Sequence, residues 1–310
     1  MLVNWDNYIF SKFDIVVVNF VGCLYISGLE LKIASERILL IKDQFNAEEI
    51  EVKAQSKRID AFGTLNKLSG LFSRPTENDF EVIYREHRYQ PFWHVAAKAN
   101  YVYDRNSHYQ FEVKGSEVEA TTIEGKDYEV TNGHVHIPVV EHCKQMLDEV
   151  TLVDAVSGSE DAALKNYLSK ELMVVVGDNL GDMAGKDAVI VPPQVRVSGI
   201  FREMLSQMIK AIQADQIFEE QIEITCIDLY YRPVYAFQFH WKSKNLKAIL
   251  EIDAVMGTAG AGTRTFSEYL GKSLDRDFLF DIGADAAGIF IPGGSIAVKA
   301  AKKMIDSKRK

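Results

Sequence analysis

The sequence is short of cysteine, of net basic charge and of catalytic signatures, and each shortage narrows the field. Its three cysteines, Cys23, Cys143 and Cys226, stand far apart with no C-x-x-C. That pattern makes neither a disulfide framework nor a zinc ribbon and fits a reducing compartment, so a cytoplasmic location is expected. Lys and Arg total 35 against 44 Asp and Glu, a formal net charge of −9. A phosphate backbone needs a basic surface, so nucleic acid is not the expected partner. The C-terminus is a local exception, with Lys299, Lys302, Lys303, Lys308, Arg309 and Lys310 close together.

No serine-hydrolase G-x-S-x-G and no zinc-protease H-E-x-x-H occur. The glycine-rich Gly177–Lys186 misses the phosphate-loop spacing, and Asp187 replaces the Ser or Thr that holds Mg²⁺. EF-hand spacing fails there as well. No apolar run reaches the roughly 20 residues of a spanning helix. Ile15–Leu29 is an apolar run shorter than that, and Asn19 and Gly22 interrupt it. Its β-branched content favours a buried strand or hairpin arm. A membrane anchor and a mis-started leader stay open for residues 1–28.

What is present is ordinary globular material: 310 residues, 47% hydrophobic and 25% charged, enough for about two domains. Alternation in Glu48–Val52 predicts a strand, and Leu65, Leu68 and Phe72 predict a helix over 61–72. From Tyr89 to Tyr103 the odd positions are apolar or aromatic and the even ones mostly polar. Polar Asp104–Ser107 follows, then alternating Tyr109, Phe111 and Val113, which reads as a β-hairpin. A second alternation runs from Tyr231 to Trp241, with Lys242–Asn245 as its loop and Leu246–Asp253 as its return. Between these, Val139–Leu147 and Asp161–Lys170 read as helices, and Met173–Val176 and Ala188–Val191 as short buried strands.

Asp79–Trp93 aligns with Gln221–Tyr235, placing Tyr89 on Tyr231 and Pro91 on Pro233. In both, the apolar face switches from even to odd positions near the Y-x-P, which predicts a sharp corner, because proline gives no N–H to a ladder. Each follows a helical segment, 61–72 or Ile200–Ile212. The expected fold is therefore α+β: two pseudo-repeated helix-plus-antiparallel β-hairpin modules, a small helical and strand insert, and a C-terminal helical segment. The expected divisions are 1–60, β-rich; 61–135, first module; 136–197, connection; 198–260, second module; and 261–310, Gly-rich and basic.

Six of the seven histidines fall between His87 and His142. His134 and His136 share one face of a strand, and with His94 and Glu141 they form a candidate Zn or Fe ligand set, since imidazole and carboxylate suit those ions. Cys143 beside His142 is not a dyad on a helix, because sequence neighbours point apart. Glu86 and Asp228 are the acid pair that the alignment singles out. Phe278–Val298, next to the basic tail, suits a packed glycine-rich hairpin or a peripheral lipid contact.

Residues Ile200–Gly257 resemble PepSY-type modules: a helix, then strands, then the closing Ile252-Asp253-Ala254-Val255-Met256-Gly257. Val153-Asp154-Ala155-Val156-Ser157-Gly158 repeats that phrase. The resemblance implies a non-enzymatic regulatory or binding module. The leading expectation is thus a non-catalytic binding, scaffolding or accessory protein, with no catalytic residue and no cofactor. Its partner would be another protein or a second copy. A metal-dependent hydrolase on His94, His134, His136 and Glu141 is one alternative, and a peripheral membrane protein acting through Phe278–Lys310 is the other.

Overall fold

A computed structural model describes residues 15–16, 23–26, 29–63, 76–176, 179–185, 187–210, 212–262 and 279–280. The strands are β1 (Ile15–Val16), β2 (Cys23–Ile26), β3 (Leu29–Ile33), β4 (Glu36–Ile41), β5 (Phe80–Glu112), β6 (Ala120–Ile123), β7 (Lys126–Thr131), β8 (His134–Asp154), β9 (Leu172–Val175), β10 (Ala188–Ile190), β11 (Gln216–Trp241), β12 (Leu246–Asp253) and β13 (Ala259–Gly262). Three α-helices stand among the described residues: α1 (Ala47–Lys57), α2 (Leu180–Ala184) and α3 (Val197–Lys210).

The protein is mostly β, which corrects the α+β expectation. The thirteen strands join one mixed sheet, not two helix-plus-hairpin modules. At its centre β5 and β11 run antiparallel along almost their whole shared length. β8 pairs antiparallel with β5, β12 with β11, while β10 runs parallel to β5 and β3 and β4 run parallel to β11.

Several local expectations fail for identifiable reasons. Asp104–Ser107 is no turn: β5 continues through it, paired to β8, with Arg105 Nε donating to Glu141 at 2.7 Å across the ladder. Val139–Leu147 is strand, because each residue there has a partner on β5, and pairing context overrides helical composition. Glu48–Val52 is helix: Asn46 and Glu49 form a capping box. Asp161–Lys170 reduces to a 3₁₀ turn at Ala162–Tyr167. Most of the 61–72 helix and the C-terminal helix lie outside the described residues. The Y-x-P sites are not corners either. Register shifts put one extra residue at Ile83 on β5 and one at Thr225 on β11. These bulges, and not the prolines, flip the apolar phase.

Apolar burial follows from that phase. Trp93, Val95, Ile227, Leu229 and Tyr231 form the main core with Phe201, Met204, Leu205 and Met208 of α3. Phe280 meets Trp93 edge-on at 5.3 Å. A second core joins Ile50 and Ala54 of α1 to Phe237, Phe239 and Trp241. On the opposite face a smaller core holds Leu39, Ile41, Phe92, Leu152, Leu164, Tyr167, Tyr230 and Val255.

The phrases Val153–Gly158 and Ile252–Gly257 make one and the same turn. Ala155 N donates to Pro91 O and Ala254 N to Pro233 O, both at 3.1 Å. Asp154 Oδ1 accepts from Val156 and Ser157 N, and Asp253 Oδ1 from Val255 and Met256 N. Gly158 and Gly257 close the turns at φ 79° and 66°, where a Cβ would be strained. Among the described residues no helix is long and apolar enough to cross a membrane.

Candidate functional site

The residues of the candidate metal set do not meet. Leu152 is the β8 partner of His94, and sixteen residues of strand separate it from His136. At about 3.3 Å per residue that is on the order of 50 Å. His134 Nδ1 lies 2.9 Å from the Asn132 carbonyl, and Glu141 is engaged by Arg105. The Arg105 guanidinium holds the Glu141 carboxyl below its ordinary range. Glu86 and Asp228 also stay apart, opposite Ala236 and His94 respectively, and each is matched to its own arginine, Arg88 or Arg37. Of the C-terminal segment, Leu279 and Phe280 are buried in the main core, and the basic tail lies outside the described residues.

A different cluster does form around His94. Asp228 stands directly opposite it across the central ladder, and Cys226 precedes Asp228 by two positions, on the same face. The Thr225 bulge is what puts them there. Ile222 and Ile224 face the main core before it, and Ile227 and Leu229 face it after, so Cys226 and Asp228 turn to the other side. Cys226 Sγ lies 3.3 Å from His94 Nδ1 and 3.0 Å from Asp228 Oδ2. His94 Nδ1 lies 3.9 Å from the same oxygen. Arg37 of β4 grips Asp228 with both prongs, Nε to Oδ1 at 2.7 Å and a terminal nitrogen to Oδ2 at 2.6 Å.

Burial and charge set the protonation of this group. Burial first, then the neighbouring Asp228, pushes the Cys226 thiol up to about 12, so it carries its proton at neutral pH. Burial pulls His94 below its usual value against the attraction of Asp228, leaving a neutral imidazole. The Arg37 guanidinium is held in its charged form by its hydrogen bonds to Asp228. Tyr230, stacked on Phe92 at 5.0 Å, closes the inner side. Cys226 escaped sequence reasoning because it is an isolated cysteine far along the chain from His94. The usable signal was the alternation Cys226-x-Asp228-x-Tyr230 opposite His94.

A second feature is the outer end of the sheet. β11 leaves β5 at the Gln216–Asp104 pair. Beyond it, the ends of β5 and β8 continue with β7 and β6 as a ribbon. Tyr109, Phe111 and Val140 on this ribbon are each about half exposed, and Met146 and Val150 near its root more so. Comparison with family models, with curated proteins and with solved structures finds no match.

Proposed function

We propose that this chain is a non-catalytic binding and assembly protein that associates through its β-ribbon. One observation carries the reading. The ribbon is a single layer of sheet bearing Tyr109 and Phe111 on one face and Val140 on the other, each in contact with water. A sheet face is stably buried only against a second layer, and exposed apolar side chains of this kind mark contact surfaces. The occupant that fits best is a second copy. β6 ends the sheet order, and its Ala-Thr-Thr-Ile sequence is β-prone and uncharged. Such an edge invites strand addition, and two-fold self-pairing is the commonest way soluble chains use one. The resemblance of residues 200–257 to PepSY-type modules points to the same non-enzymatic role.

Light scattering coupled to size exclusion tests this on the full chain. A dimer is expected, reduced to monomer by Tyr109→Ser with Phe111→Ser. A chain that is monomeric up to its solubility limit, or a dimer that the double substitution leaves intact, overturns the proposal.

A further inference from the structure

We propose that His94, Cys226 and Asp228 form a binding site for a divalent transition-metal ion of the Zn²⁺ class. The geometry carries this first. Zinc bonds of about 2.3 Å to sulfur and about 2.0 Å to nitrogen and oxygen imply tetrahedral edges of about 3.5 Å from sulfur and about 3.3 Å from nitrogen to oxygen. The three donor atoms are separated by 3.3, 3.0 and 3.9 Å, so shifts of a few tenths of an ångström at each side chain complete the arrangement. Among the described residues this is the one group of three such donors whose ligand atoms all lie within 4.8 Å of one another.

The donor chemistry selects the ion. Thiolate with imidazole suits Zn²⁺, and Mg²⁺ and Ca²⁺ prefer all-oxygen sets. His94 turns Nδ1 toward Cys226 and Asp228, 3.3 Å from the sulfur. Asp228 Oδ2 now accepts from the Cys226 thiol as well as from Arg37. The metal takes the place of the thiol proton between sulfur and oxygen, and that proton leaves to solvent. Arg37 remains outside as the group that fixes the carboxylate plane, as partners behind metal ligands do. Its side chain is half exposed, so the site borders water, which supplies the fourth ligand.

The experiment uses the full chain, stripped with a chelator and titrated with Co²⁺ and then Zn²⁺. One equivalent of Co²⁺ is expected, with a thiolate-to-metal charge-transfer band and the strong visible absorption of tetrahedral cobalt, both lost on adding Zn²⁺. Cys226→Ser is nearly isosteric and keeps the Arg37–Asp228 pair, so it folds. It should remove the charge-transfer band and weaken Zn²⁺ binding by more than the roughly 100-fold that changes behind the ligands cost. His94→Ala should weaken binding comparably, and His134→Ala with His136→Ala should leave it unchanged. A titration without the charge-transfer band overturns the proposal. So does a band that survives Cys226→Ser, or binding lost only in the His134 and His136 variant.

Discussion

Removal of the Asp253 carboxylate should be the most damaging single change on the small-core face. Asp253 is buried, at 6% exposure. Its Oδ1 accepts from Val255 and Met256 N at 2.8 and 2.7 Å. Its Oδ2 accepts from Tyr167 Oη, and Arg232 approaches it at 3.4 Å. Arg232 is partly buried, which opposes its charge, yet Tyr167, Asp253 and Asp154 hold its pKa raised. Asp253→Ala therefore strips two backbone bonds and leaves a partly buried guanidinium short of its counter-charge. A hydrogen bond to a charged group is worth about 1.5–3 kcal/mol, and breaking a buried pair costs about 3–5 kcal/mol. These overlap, so the expected loss is on the order of 4 kcal/mol, a large part of the roughly 5–15 kcal/mol that holds a domain together. Asp154 makes the same two backbone bonds but is only partly buried. Asp154→Ala should cost about 1–2 kcal/mol. Urea unfolding of both variants gives the comparison. Equal losses would refute the reasoning, because the difference rests on the deeper burial of Asp253 and on its contacts with Tyr167 and Arg232.

Three further outcomes are expected. Gly257→Ala should destabilise by more than the about 1–2 kcal/mol of a left-handed alanine, because the new Cβ would also fall 2.9 Å from the Phe45 ring. Gly125→Ala, at φ +81 in open space, should show only the backbone cost, and thermal melts of the two decide. Burial raises the Glu220 pKa, so in the folded state this carboxyl keeps its proton to higher pH than in the unfolded chain. The stability it contributes is present below the unfolded pKa of about 4.3 and lost as pH rises through the folded value. Glu220→Gln should accordingly raise the melting temperature at pH 7, and the gain should vanish near pH 4; a gain that persists in acid refutes the assignment. With its thiol near 12, metal-free Cys226 should alkylate at pH 8 on the order of 100-fold or more slower than a free cysteine. Peptide mass spectrometry reads that rate, and labelling at the free-thiol rate counts against the buried geometry.

How far the fold was legible depended on whether a signal was local. The alternation of Tyr89–Tyr103 and Tyr231–Trp241 was readable, because period two survives in any half-buried strand. The Lys242–Asn245 turn and the strand at Ala188–Ile190 were readable for the same reason. Two true turns were passed over although they carried the stronger mark: Glu124-Gly125 and Asn132-Gly133 each hold two consecutive positive φ values, the tight-hairpin conformation. Asp104–Ser107 resembles a turn only in polarity, and polarity on an exposed ribbon says nothing about a turn. Val139–Leu147 was illegible in a different way. Its strand conformation is imposed by β5, a partner whose register no single sequence states. The candidate site failed similarly. His94 was named, but its companions come from β11 and β4, which only the ladder brings alongside.

Two of the three bulges in the central ladder, at Ile83 and Thr225, explain why the chemistry gathers where it does. Each adds one residue to a central strand, and each turns the next alternate residues away from the main core. After Ile83, the residues turned that way are Tyr84, Glu86 and Arg88, and they contact one another. Tyr84 Oη donates to Glu86 at 2.9 Å, and Arg88 reaches Glu86 at 3.2 Å and Glu251 at 2.5 Å. Arg88 is fully buried there. After Thr225 the same geometric step presents Cys226, Asp228 and Tyr230. Here the arginine comes from β4, outside the strand, and grips the carboxylate with both prongs while also reaching Cys226. Sulfur and imbedded imidazole are left facing each other across the ladder, at the place where the small core gives way to water. One backbone device thus yields a sealed ion pair at the first bulge and, at the second, a set of soft donors with an open side.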